Sequence, residues 1–274
     1  MSFFSRTIIL ILIICFIVFL AEAKLTIVPP VPVSRMSSVT AIDPVVKNNG
    51  KAAYKWFGVL SPVRVYMQSR FGDDVKNPCP SAQQLYPDLF FTFVDFTHAL
   101  PDGYVPADLV PLPGQYVKKT SGTVCMRVAA ADALSAMLAD AATQGHFVVA
   151  SSAFRSSETQ ETILNGRLQS IGEVAYTHVA LPGHSEHQLG LAVDLTAASV
   201  SYSSAAGAFG DSVEGVWIAR HAADYGFVQS YPYGKEPITG YIYEPWHYRY
   251  VGVATAQAVV DAKLTLTEYL QATI

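Results

Sequence analysis

The strongest constraint on this chain is a carboxylate set into an apolar run. Asp194 stands in Leu189-Gly190-Leu191-Ala192-Val193-Asp194-Leu195, which reads as a buried strand. An unpaired carboxylate at the end of such a strand is costly, so Asp194 needs a cation or strong donors. His187, seven residues earlier and across a turn, can share that cation. Gly183 and Gly190 around it let the backbone turn or approach a neighbour closely.

A second dense spot is Glu244-Pro245-Trp246-His247-Tyr248-Arg249-Tyr250. A Glu and a His three apart do not share a face of a regular strand, but Pro245 breaks regularity and lets both reach one cleft. Catalytic zinc typically takes three N/O ligands and leaves a fourth place for water. His187, Asp194 and His247 supply three, which leaves Glu244 as a general base. A salt bridge of Glu244 with Arg249, beside structural histidines, accounts for the same residue types, and the types alone leave both readings open. A third spot, Ser152-Ala153-Phe154-Arg155-Ser156-Ser157-Glu158-Thr159-Gln160, puts Arg155 at a strand-to-helix junction. A guanidinium there can grip a carboxylate or steady an oxyanion; an ordinary surface salt bridge is the plainer reading.

Around these spots the chain reads as one cored unit with an appendage. It has 274 residues, 51% hydrophobic, with net charge -4 and no basic block, so nucleic-acid binding is not expected. Arg6, the uncharged run Thr7 to Leu20 and Ala21-Glu22-Ala23 form a secretory signal over 1–23, cut before Lys24. Fourteen apolar residues are short for a bilayer span, which needs about 20. Export to a secreted, periplasmic or cell-envelope location follows, with no integral membrane segment after cleavage. Of the 3 cysteines, Cys79 and Cys125 survive cleavage, and an oxidising compartment makes a disulfide between them plausible, with two buried thiols as the alternative.

Residues 24–78 form an N-terminal extension. Its Pro-rich start reads as an extended leader, and its 51–75 stretch either packs as a subdomain or covers the core's back. The main domain, 79–274, interleaves helices (126–145, 157–170 with Ser157 as N-cap, 213–225, 254–262, 266–270) with short strands (147–150, 189–195, 227–229, 248–251). The expected class is α+β, helices on a small, mostly antiparallel sheet.

The three segments together resemble the VanY-type D-alanyl-D-alanine carboxypeptidases and the wider group of zinc LD- and DD-carboxypeptidases. The family pattern is Ser-x-His-x-x-Gly-x-Ala-x-Asp, then Glu-x-x-His, after an earlier Ser-x-Tyr-Arg-Ser block followed by Gln. Here these stand in the same order at Ser185 to Asp194, Glu244 to His247, and Ser152 to Gln160, with Phe154 in place of Tyr. The resemblance covers roughly residues 98 to 272. It implies the DD-peptidase (hedgehog/DD-peptidase-like) fold, Zn2+ held by His187, Asp194 and His247, and catalysis by Glu244 with Arg155. It also implies substrate contacts from Ser185 and Gln160, with His184 and Trp246 as further candidates. The implied activity is removal of the C-terminal D-Ala from peptidoglycan stem peptides. An LD-carboxypeptidase acting on tetrapeptide stems, a peptidoglycan endopeptidase and a non-catalytic wall-binding module are the alternatives.

Overall fold

A computed structural model describes residues 47–48, 51–52, 62–72, 75–82, 90–203 and 206–273. The expected signal, 1–23, and most of the 24–78 extension lie outside the described residues. A two-residue pairing of β1 (Lys47–Asn48) with β2 (Lys51–Ala52) precedes helix α1 (Pro62–Phe71).

The centre is a four-stranded antiparallel sheet in the order β5-β6-β8-β7, from Val148–Ser152, Ala192–Ala197, His247–Tyr250 and Phe227–Gln229. Its two faces follow the period of two. Val148 and Ala150 of β5, Val193, Leu195 and Ala197 of β6 and Tyr248 of β8 turn into one apolar core. Ser151, Asp194, Thr196 and His247 line a cavity on the other face. The mixed, mostly antiparallel architecture is the one expected.

Helix α2 (Val128–Thr143) fills the core side. Its buried Ala130, Ala131, Leu134, Met137, Leu138 and Ala141 recur at spacings of three and four, the stripe that faces a sheet. Burying each of its larger side chains contributes about 1.5–3 kcal/mol. Leu134→Ala therefore costs about 2–5 kcal/mol, because the cavity left behind adds to the lost transfer energy. The helix starts two residues later than the sequence suggests. Cys125–Arg127 is a strand, β4, paired antiparallel with β3 (Leu109–Pro111), which takes Met126 out of the helix.

Part of the 51–75 stretch covers the core. Tyr66 and Met67 of α1 belong to it, Tyr66 Oη donates to the Pro111 carbonyl at 3.1 Å, and Arg70 pairs with Asp132 at 2.9 Å. Cys79 and Cys125 form a disulfide that ties the segment after α1 to β4.

Two other boundaries move for local reasons. The N-cap of α3 (Ser157–Ile171) is Ser156, one residue before the expected Ser157; its Oγ accepts from Thr159 N, the third helical position, where an N-cap side chain reaches. The apolar run 189–195 is not one strand. Glu186–Leu189 is a tight 3-10 turn, Gly190 takes φ 68, and extension resumes only at Ala192. Any side chain at Gly190 is strained on two counts: the positive φ, and an added Cβ that would sit 2.8 Å from Leu109 Cδ2 and 3.1 Å from Arg127 Cγ.

Candidate active site

That turn sets His187. Ser185 caps it, accepting from His187 N at 3.3 Å, and the His187 Nδ1 lies 2.6 Å from the Ala153 carbonyl. A carbonyl only accepts, so Nδ1 carries the proton and Nε2 is the lone-pair nitrogen. Nε2 is buried without a hydrogen-bond partner, with Asp194 Oδ1 at 3.3 Å. Asp194 lies inside β6, third of its residues, directly across from His247, the first residue of β8. His247 Nδ1 is 3.2 Å from the same Asp194 Oδ1. One ligand atom from each of His187, Asp194 and His247 falls within 4.8 Å of the others. An orphaned imidazole nitrogen, a carboxylate and a second imidazole converging on one point are the donor set that a borderline divalent ion takes.

Glu244 comes from the loop before β8, its Oε2 3.9 Å from His247 Nδ1. Pro245 and Trp246 separate it from the strand, so it reaches the cleft without sharing the strand's alternation. Arg155 leaves β5 toward the same point: its NH2 is 3.5 Å from Asp194 Oδ2, and its NH1 donates to Gln160 Oε1 at 3.1 Å. Together they line a cavity of about 400 Å3, with Ser185, Trp246, Tyr231 and Tyr241 among the walls.

Burial and neighbouring charge spread the proton affinities of these groups widely. Burial pushes the Glu244 carboxyl up to about 7, helped by the charges of Asp194 and Glu186 and opposed by His247 and Arg155. Burial and the Arg155 charge lower His187 to about 4, so it is neutral at pH 7. Burial would lower His247 too, but hydrogen bonds to Asp194 and Glu186 lift it to about 10. Asp194 is held well below the usual carboxylate range: burial opposes this, and His187, His247 and Arg155 overcome it.

The remaining expected contacts separate. Gln160 is 1% exposed and engaged at both ends of its amide, holding Arg155 with its oxygen and donating to the Ala180 carbonyl at 2.8 Å. Its place is behind Arg155, although it reaches the cavity wall. His184 is not among the lining residues; its Nδ1 lies 2.6 Å from the Asp95 carbonyl. Arg249 does not pair with Glu244. It is fully buried and pairs with Glu186 at 3.2 Å. Glu186 is the residue that sequence reasoning passed over. It lies inside the quoted Ser185 to Asp194 block, and its signal was a second carboxylate in a stretch that buries everything around it.

Comparison with known proteins converges on one family. The family model "VanY: D-alanyl-D-alanine carboxypeptidase" matches residues 123–253. The carboxypeptidase candidate YodJ of Bacillus subtilis (strain 168) is 37% identical over 208 residues, 75% of this chain and 76% of that protein. The solved LD-carboxypeptidase LdcB is 40% identical, covering 65% of this chain and 84% of its own, with TM-score 0.60. VanYB, solved in complex with D-alanine-D-alanine, is 30% identical over 66% of this chain and 97% of its own, with TM-score 0.54. With the ordered blocks and the converging His187, Asp194 and His247, these matches make the chain a member of the VanY-type D-alanyl-D-alanine carboxypeptidase family.

Proposed function

We propose that this protein is a zinc carboxypeptidase that removes the C-terminal D-alanine from peptidoglycan stem peptides. The observation that carries the reading is the convergence of His187, Asp194 and His247 beside Glu244, in a cavity with Arg155 on its wall. The donor set fits zinc: the lone pair of His187 Nε2 has no protein partner, and Asp194 is a carboxylate held ionised. When bound, zinc supplies Lewis acidity that brings the pKa of water down to about 7.

The chain's own groups do the rest. Glu244 takes a proton from the attacking water and hands it to the leaving amine, a role suited to a carboxyl lifted toward neutrality. Arg155 is held by Gln160 with its guanidinium toward Asp194, where it meets the developing oxyanion or the substrate's terminal carboxylate. Ser185 and Trp246 are proposed as contacts for the terminal residue. His184 has no such place in this reading, and Gln160 acts through Arg155. A cavity of about 400 Å3 holds a short peptide end.

The likeness to LdcB favours a second reading, in which the shortened substrate is a tetrapeptide stem and the activity is that of an LD-carboxypeptidase. Either reaction belongs outside the cytoplasm. We assign residues 1–23 to export, 24–78 to an extension whose α1 segment packs on the core, and 79–274 to the catalytic unit. Among the described residues no helix is long and apolar enough to cross a membrane.

The test is mass spectrometry of defined pentapeptide and tetrapeptide muropeptides incubated with the protein lacking 1–23, with and without a zinc chelator. The expected outcome is chelator-sensitive loss of one terminal D-Ala, and the stem that shortens names the reaction DD or LD. No loss from either stem overturns the carboxypeptidase reading and leaves an endopeptidase or a binding module.

A further inference from the structure

The second face of His247 carries a further assignment. Its Nε2 lies 2.9 Å from Glu186 Oε2. The same oxygen accepts from Ser230 Oγ at 2.6 Å, and Glu186 Oε1 accepts from Arg249 NH1 at 3.2 Å. The other terminal nitrogen of the guanidinium, NH2, donates to the carbonyls of Phe90 and Thr92 at 3.0 and 3.2 Å. Glu186 is 7% exposed and Arg249 0%. His247 and Arg249 are two apart on β8, so the strand's period aims both at Glu186. In sequence Glu186 directly precedes His187. One carboxylate therefore joins the chain neighbour of one proposed ligand to the ring of another.

We propose that Glu186, backed by Arg249 and Ser230, is a positioning residue for the metal site. It accepts the Nε2 proton of His247, fixes the ring, and keeps the Nδ1 lone pair directed at the point shared with His187 and Asp194. Stability alone is a poor account of the arrangement. A buried ion pair gains little net energy over a well-packed apolar pair, because desolvation offsets the attraction. What it does supply is orientation: a hydrogen-bonded carboxylate on the far nitrogen of a metal-bound imidazole sets tautomer and ring angle, and its loss commonly weakens metal binding about 10–100-fold. Gln does not replace it. An amide has one acceptor end, and Glu186 meets donors at both oxygens.

This inference rests on the zinc reading above, and the experiment separates the two. Zinc affinity is measured by chelator competition for the wild type, Glu186→Gln and Ser230→Ala, alongside the unfolding temperature of each metal-free protein and the visible spectrum of each cobalt-loaded form. Glu186→Gln is expected to weaken zinc about 10–100-fold and to change the cobalt spectrum. Ser230→Ala, which leaves Glu186 charged, is expected to weaken it by no more than about 5-fold, the equivalent of one ordinary hydrogen bond. A residue that serves stability alone would lower the unfolding temperature and leave the zinc affinity and spectrum of the folded protein unchanged; that result overturns the assignment. If Glu186→Gln does not fold, Glu186→Asp, which keeps the charge and shortens its reach to His247 Nε2, decides by the same criterion. A wild type that binds no zinc overturns the metallopeptidase reading itself; a wild type that binds zinc, with variants equal to it, overturns this inference alone.

Discussion

The imidazole of His247 divides two carboxylate pockets that look alike in composition and differ in balance. On the Nε2 side, Glu186 has a guanidinium, a hydroxyl and an imidazole N–H on its two oxygens, and these hold it down at about 2 despite full burial. On the Nδ1 side, Asp194 and Glu244 face the same ring with one guanidinium near them, 3.5 Å from Asp194. There burial raises Glu244 to about 7, with the charges of Asp194 and Glu186 adding to it, and a His187 nitrogen has no hydrogen-bond partner. The protein satisfies the Glu186 oxygens internally and leaves the cavity-side groups with donor atoms not committed to protein partners. Donor atoms left uncommitted on a cavity fit the proposed metal site, and on that proposal the difference separates a supporting carboxylate from a reacting one when both are buried.

The largest effects come from the ring that joins the pockets and from the base beside it. His247→Ala is expected to abolish both bound zinc and turnover, read as metal content after dialysis and as D-Ala release. Full zinc content in that variant would remove His247 from the ligand set and break the comparison at its centre. Glu244→Ala should keep zinc and lose activity by about 10^2–10^4-fold, the range for a general base. Wild-type kcat/KM there would mean that Glu244 belongs with the supporting carboxylates.

The balanced pocket predicts a different failure. Arg249→Met leaves Glu186 buried without its cation, and removing one partner of such a pair costs about 3–5 kcal/mol, measured by denaturant unfolding of the metal-free protein. Adding Glu186→Leu should return most of that stability, since apolar replacements of buried pairs are often neutral. It should not return zinc affinity. A double variant that binds zinc like the wild type would show that the pocket serves folding alone.

How much of this could be read from the sequence depended on range. Asp194 announced itself because a carboxylate in an apolar strand is a local anomaly, and the ordered blocks around His187 and His247 carried the family resemblance. The mixed helix-and-sheet class followed from elements whose periods are local. Glu186 and Arg249 were not legible as a pair: Arg249 had a nearer acid in Glu244, and the fold instead joins it to one 63 residues away. Gln160 was legible as a residue of the cavity wall, but its bond to the Ala180 carbonyl, 20 residues away, was not. His184 sits three residues from His187 and has the same side chain, but it bonds Asp95, a partner 89 residues distant that no spacing rule reaches. Local anomalies survive translation into sequence; long-range pairings decide which of two similar residues faces the cavity.

The smallest effect tests the two pockets by pH in the metal-free protein. Glu244 has its folded pKa raised from 4.5 to about 7, so the folded state holds a proton that the unfolded chain has lost. Its contribution is present below about 4.5 and is lost as pH rises toward 7, with a limiting slope of about 1.4 kcal/mol per pH unit. Glu186 has the opposite sign. Its folded pKa falls to about 2, so it stabilises above about 4.5 and that stability is lost as pH falls toward 2. Wild-type unfolding free energy minus that of Glu244→Gln, measured from pH 3 to 8, should therefore fall between about 4.5 and 7, and wild type minus Ser230→Ala should show no such fall, because the opposed contributions of His187 and His247 cancel in each difference. If the wild-type and Glu244→Gln profiles run parallel between about 4.5 and 7, Glu244 holds no proton in the folded state there, and the contrast between the pockets loses its electrostatic basis.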